Sequence, residues 1–131
     1  MFQYRRLIFL GDTDATGVLY FPEQFKIVGE AFEAFLLQQK IILKDRIAKE
    51  DYLLPVVHAE GDYHLPLSVG DEVVIELSLS AIGTSSFTLL ARILKDGVEA
   101  GGVKLIHVAL DPKLNKSMPV PEKILTVLRQ L

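Results

Sequence analysis

The segment from Pro22 to Gln39 constrains the fold more than any other, because its apolar residues recur at helical steps over four turns. Phe25, Val28, Gly29, Phe32, Phe35 and Leu36 fall three or four apart, while Lys26, Glu30, Glu33 and Gln38 lie on other faces. That period predicts one long amphipathic helix. Pro22 suits its first turn and Glu23 its positive end, but Phe21, ahead of the proline, has no side chain able to cap. Some N–H groups at this terminus are therefore left for other acceptors. Gly29, Ala31 and Ala34 sacrifice helix propensity or bulk, which is expected where another backbone passes close by.

Around this helix the period is two. Phe2 to Leu10, with Tyr4, Ile8 and Phe9, reads as a strand stopped at Gly11. Leu54 to Leu65 alternates, and so does Glu72 to Ala81, where Val73, Ile75, Leu77, Leu79 and Ala81 share a face. Ser86 to Lys95 repeats the pattern through Phe87, Leu89, Ala91 and Ile93. Asp96-Gly97 then signals a two-residue hairpin leading to a return strand over Val98 to Leu110, in which Gly101-Gly102 marks a bulge or a close approach. Lys40 to Asp51 has room for a short second helix, and Pro121 to Leu131 for a terminal one. One strand, one long helix and four largely antiparallel strands make a two-layer α+β domain spanning residues 1–131, with the helix as its core. A bare sheet edge needs cover, and pairing two sheets edge to edge across a two-fold axis supplies it. The expectation is at least a dimer.

Composition removes several classes of function. The formal net charge of −3 argues against a nucleic-acid binder driven by phosphate attraction. The absence of cysteine excludes disulfides, thiolate metal sites and a Cys nucleophile. No apolar run approaches the ~20 residues of a membrane span, and the N-terminal residues lack a signal-peptide pattern. A soluble cytoplasmic protein without a membrane partner is the expectation.

Chemistry concentrates between Leu7 and Pro22, where an apolar run meets Gly11 and two carboxylates follow, Asp12 and Asp14. The connection should place them near the helix N-terminus, whose free N–H groups and partial positive charge favour a developing oxyanion. Asp12, Asp14, Thr16, Gly17 and Glu23 also nearly reproduce the spacing of a calcium loop. Yet a strand, not a helix, leads into it, and Pro22 falls where the exit helix should already run. A phosphatase aspartate motif would need alternating helices and parallel strands downstream, and the strands here are antiparallel. His58, His64 and His107 have no paired spacing, so neither a metal nor a cofactor is expected.

The run Asp12-Thr13-Asp14-Ala15-Thr16-Gly17-Val18-Leu19-Tyr20-Phe21 resembles the D-x-D-x-x-G signature of the 4-hydroxybenzoyl-CoA thioesterase-like hot-dog family. Phe25, the run Glu30-Ala31-Phe32-Glu33, and Leu54-Pro55-Val56-Val57-His58-Ala59 look most like its branch acting on 1,4-dihydroxy-2-naphthoyl-CoA in phylloquinone or menaquinone synthesis. The resemblance implies a hot-dog fold, an antiparallel sheet wrapped around one central helix, and hydrolysis of an aromatic acyl-CoA by a homo-oligomer, a dimer or a dimer of dimers (homotetramer). Asp14 would be the catalytic carboxylate, as nucleophile or as base for water, and the Phe21 backbone N–H would hold the oxyanion. Asp12 would hold the loop through backbone N–H groups and Gly17 would supply a positive φ or room beside the substrate. Tyr20, His58, Ser85 and Ser86 are candidate substrate contacts, with a structural role equally open for His58, and Glu30 is the fallback catalyst. The family often places Arg or Lys in the turn that here reads Gly83-Thr84-Ser85-Ser86, leaving hydroxyls and N–H groups for the CoA phosphates. The alternatives are a short- or medium-chain aliphatic acyl-CoA thioesterase on the same site and a non-catalytic or calcium-binding module.

Overall fold

Helix α1 (Glu23–Gln38) lies against one face of a five-stranded antiparallel sheet in the computed structural model, which describes all of residues 1–131. The sheet is built from β1 (Phe2–Leu7), β2 (Val56–Tyr63), β3 (Glu72–Ile82), β4 (Ser86–Lys95) and β5 (Val98–Val108) in the order β1-β3-β4-β5-β2. Alternation decides which side chains face the helix. Val73, Ile75 and Leu77 of β3, Phe87, Leu89, Ala91 and Ile93 of β4, and Val103 and Leu105 of β5 are buried with Ile27, Val28, Ala31, Phe32, Phe35 and Leu36 of α1 in one core. Phe35 meets Phe2 edge to face at 5.5 Å, and Phe32 meets Phe87 at 5.8 Å. Truncating a core phenylalanine of this kind costs about 3–5 kcal/mol.

Several boundaries differ from the sequence expectation. β1 stops at Leu7 rather than Leu10, because the Phe9 N–H turns to the Asp12 carboxylate (2.8 Å) and residues Leu10–Asp12 close into a 3-10 turn. In β3 the buried face ends at Leu77: the register shifts between Leu79 and Ala81, so Leu79 is only half-buried and Ala81 is exposed. The helical cover is also more than α1. A short helix, α2 (Leu43–Ala48), adds only the partly buried Leu43 to the core, but α3 (Glu122–Leu128) sends Ile124, Val127 and Leu128 into it. β6 (Leu110–Asp111) and β7 (Lys116–Ser117) form a small hairpin after β5.

Asp96 and Gly97 both take positive φ, +50° and +76°, as the tight β4–β5 turn demands. Gly29, expected to admit a neighbouring backbone, has no atom within 4 Å of where a Cβ would stand, so that part of the helix surface is open within one chain. β2 is exposed along nearly its whole length and occupies a sheet edge. No helix is long and apolar enough to cross a membrane.

Candidate active site

The two aspartates of the D-x-D run part company in the structure. Asp12 is 6% exposed and faces Arg6, whose guanidinium reaches it through Nη1 (2.5 Å) and Nη2 (3.0 Å). The same guanidinium gives Nε and Nη2 to the two carboxylate oxygens of Glu30, at 2.7 and 3.2 Å. One cation thus ties β1, the loop and α1 together. Arg6 holds the Asp12 carboxyl below the usual carboxylate range despite the opposing effect of burial, and Asp12 in turn raises the Arg6 pKa. Glu30 has both oxygens engaged in this cluster.

Asp14 sits at the exposed tip of a small hairpin closed by Asp14 N–H to Val18 C=O (2.9 Å), Gly17 N–H to Asp14 C=O (3.1 Å) and Tyr20 N–H to Asp12 C=O (2.9 Å). Gly17 takes φ +78° at the turn, which glycine adopts without a Cβ penalty, and no atom crowds it. Oδ1 of Asp14 accepts from the Thr16 hydroxyl (2.5 Å) and the Thr16 N–H (2.8 Å). The hydroxyl, then the backbone N–H, lower the Asp14 pKa, so the carboxylate is ionised at neutral pH while Oδ2 makes no hydrogen bond within the chain.

Asp12 is engaged by Arg6 and, as expected of a residue holding the loop, by a backbone N–H, that of Phe9, and is not left free toward the helix terminus. No side chain caps α1. Its first-turn N–H groups instead close tight turns: Glu23 to Tyr20 C=O (2.9 Å), Gln24 to Phe21 C=O (3.4 Å) and Phe25 to Pro22 C=O (3.1 Å). The Phe21 N–H, just ahead of the N-cap Pro22, has no acceptor in the chain. The Phe21 carbonyl is pinned by the Tyr63 hydroxyl at 2.5 Å, which fixes this peptide against β2.

Tyr63 also lines a cavity of about 290 Å³ walled by Val18, Leu19, Leu65, Pro66 and Leu67, with Gln24 and His64 completing its lining. The other candidates are dispersed. Tyr20 is half-exposed and packs edge to face on Phe21 at 5.3 Å. His58 bonds Glu60 (3.1 Å) on the open β2 edge. Ser85 and Ser86 lie in the β3–β4 turn, where their carbonyls accept from Ala109 and Gly83 N–H. None of these four touches Asp14. The cations nearest in sequence to that turn are already paired: Lys95 with Asp71, Arg92 with Glu76 and Glu99, and Lys104 with Glu60. The calcium-loop geometry does not form, because Asp12 and Asp14 serve different partners, and no cluster of three His, Asp or Glu side chains converges anywhere.

Three residues of this region were not singled out from sequence: Arg6, Gln24 and Tyr63. Arg6 shares the inward face of β1 with Phe2 and Tyr4, and a charge on a core-facing position demands a carboxylate partner. Gln24 precedes Ile27 and Val28 by three and four residues, on the buried face of α1. Nothing local marks Tyr63.

Residues 9–128 match the family model of the thioesterase-like superfamily. A 1,4-dihydroxy-2-naphthoyl-CoA hydrolase from Synechococcus elongatus is 35% identical over 124 residues, covering 94% of this chain and 91% of the relative. Among solved structures, a 1,4-dihydroxy-2-naphthoyl-CoA thioesterase from Synechocystis superposes with a TM-score of 0.93 at 28% identity, covering 99% of this chain and 96% of the other. A gentisyl-coenzyme A thioesterase superposes with a TM-score of 0.86 at 27% identity over 93% and 98% of the two chains. The sheet-and-helix arrangement is the hot-dog fold.

Proposed function

This chain belongs to the thioesterase-like superfamily, and from that premise we propose that it hydrolyses an aromatic acyl-CoA, 1,4-dihydroxy-2-naphthoyl-CoA in quinone synthesis, with Asp14 as the catalytic carboxylate. The observation that carries the reading is the unpartnered Phe21 N–H ahead of α1, in a peptide that Tyr63 ties to a mostly apolar cavity, downstream of an ionised aspartate. A thioester carbonyl bound there places its oxygen on the Phe21 N–H as negative charge develops. Donors of this kind are worth about 10²–10³ in rate. Asp14 either attacks the carbonyl carbon, expelling CoA as thiolate and leaving an anhydride for water to open, or takes a proton from the water that attacks.

The hairpin tip is exposed in one chain, so the reading includes a second copy that closes the site. Support comes from the open β2 edge and from Phe9, Leu10, Tyr20 and Phe21, apolar side chains exposed together around the loop. Asp12 and Glu30, both held by Arg6, then position the loop rather than react. Tyr20 and His58 lie on surfaces such a partner would cover, and the Ser85–Ser86 turn remains the candidate for the CoA phosphates.

An acyl-CoA panel with detection of the free thiol tests the function. Turnover of the dihydroxynaphthoyl thioester well above aliphatic thioesters is the expected result. Preference for short or medium aliphatic chains moves the protein to the alternative substrate class, and no turnover of any thioester contradicts the reading.

A further inference from the structure

Gln24 is 1% exposed in the first turn of α1, an unusual place for a primary amide. Its Nε2 donates to the backbone carbonyls of Asp62 (3.0 Å) and Gly102 (3.4 Å), where β2 and β5 run side by side. Those two acceptors decide which end of the amide is nitrogen. They leave Oε1 as an acceptor that no donor of the chain satisfies. It is not sealed in the core either, since the fully enclosed side-chain atoms without a partner are Glu23 Oε2 and His107 Nε2. The open space bordering Gln24 is the cavity of about 290 Å³ that Tyr63, the residue holding the Phe21 carbonyl, also lines. The backbone is shaped to admit this amide: a Cβ on Gly101 would stand 2.6 Å from Oε1 and 2.8 Å from the Asp62 carbonyl, and the backbone oxygen cannot move aside as a side chain can.

We propose that Gln24 determines acyl specificity, its Oε1 accepting a hydrogen bond from a hydroxyl on the aromatic ring remote from the thioester. The inference rests on the thioesterase reading above and deepens it. A buried amide oxygen without a donor carries a desolvation cost of about 1–3 kcal/mol, which a ligand hydroxyl relieves and a bare ring or alkyl chain does not. Apolar walls from Val18, Leu19 and Leu65 to Leu67 suit the ring, and Oε1 of Gln24 selects the substituent; His64, also on the lining, turns its Nε2 toward Glu99 at 3.8 Å. In a 1,4-dihydroxy-2-naphthoyl group the 1-hydroxyl lies next to the carbonyl and can bond to it internally. The 4-hydroxyl is the free donor.

The test compares kcat/KM for 1,4-dihydroxy-2-naphthoyl-CoA and 1-hydroxy-2-naphthoyl-CoA on the wild type and on Gln24→Met. The wild type should favour the dihydroxy thioester by about tenfold or more, and the variant should lose most of that preference. Binding of 1,4-dihydroxy-2-naphthoate to the wild type should also shift the side-chain amide NMR signals of Gln24, whereas 1-hydroxy-2-naphthoate should not. That readout stands even if the variant misfolds. Equal turnover of the two aromatic thioesters, an undiminished preference in Gln24→Met, or unmoved amide signals would overturn the Gln24 assignment alone. Turnover confined to aliphatic thioesters would overturn the aromatic reading and this inference with it.

Discussion

Asp12 and Asp14 are two residues apart in one loop, yet their surroundings give them opposite physical characters. Asp12 is buried, bonded by a guanidinium on one side and a backbone N–H on the other, and has no freedom to react. Asp14 is exposed, ionised, and held only by its own turn through Thr16. A motif of paired carboxylates therefore need not be a catalytic dyad: one acid builds the platform on which the other is displayed. Asp12 owes its character to Arg6, six residues upstream and outside the motif, and Asp14 owes its own to Thr16 within it.

The contrast predicts a graded set of outcomes. Arg6→Met should be the most damaging to stability, because it leaves two carboxylates facing each other at a site where Asp12 is buried. A loss of about 2–3 kcal/mol is expected, below that for a fully enclosed pair since the Glu30 side chain is 30% exposed. Denaturant unfolding checks it, and the variant should partly recover as the pH is lowered and the carboxylates protonate. In the wild type the sign is reversed. Asp12 has a depressed pKa when folded, so its contribution is present above the ordinary carboxylate value and is lost as pH falls below about 3.8 towards the folded value.

A milder acid effect comes from the far side of the core. His107 donates Nδ1–H to the Leu54 carbonyl (2.8 Å) and stacks on Phe87 at 5.0 Å, with Nε2 enclosed and unpartnered. Burial lowers its pKa below 6.5, so the unfolded chain takes up that proton first and stability should decline as pH drops below about 6.5. Thermal unfolding from pH 5 to 7.5 should show this slope, and His107→Gln should flatten it. The smallest effect belongs to Gly17→Ala, which forces an L residue to φ +78° in open space at a cost of about 1–2 kcal/mol. A small drop in Tm together with a larger drop in turnover would mark Gly17 as shaping the Asp14 tip.

Much of the scaffold was legible in the chain. The 3.6-residue period of α1, the alternation of β3 to β5 and the Asp96-Gly97 turn each depend on neighbours in sequence, and each appears where the pattern placed it. Local pattern failed where a side chain from elsewhere intervenes. The Asp12 carboxylate takes the Phe9 N–H and ends β1 early, the shift after Leu79 turns the last part of β3 outward, and α3 joins a core that one helix was expected to fill. The same holds for the site. Asp14, Phe21 and Gly17 are candidates offered by one contiguous stretch of sequence, whereas Arg6 and Tyr63 reach that loop from β1 and β2, and Gln24 binds the carbonyls of Asp62 and Gly102 from α1. Gly101-Gly102 marks a close approach, with Gln24 against Gly101, while the extra residue of β5 against β4 is Ala100, just before the pair.

The most direct test of the account is the rate of thiol release from 1,4-dihydroxy-2-naphthoyl-CoA by Asp14→Asn, measured beside its unfolding curve. A loss of about 10²-fold or more in kcat is expected with the unfolding transition unmoved, because the Asp14 carboxylate supports no part of the fold beyond its own turn. Undiminished turnover in Asp14→Asn would contradict it.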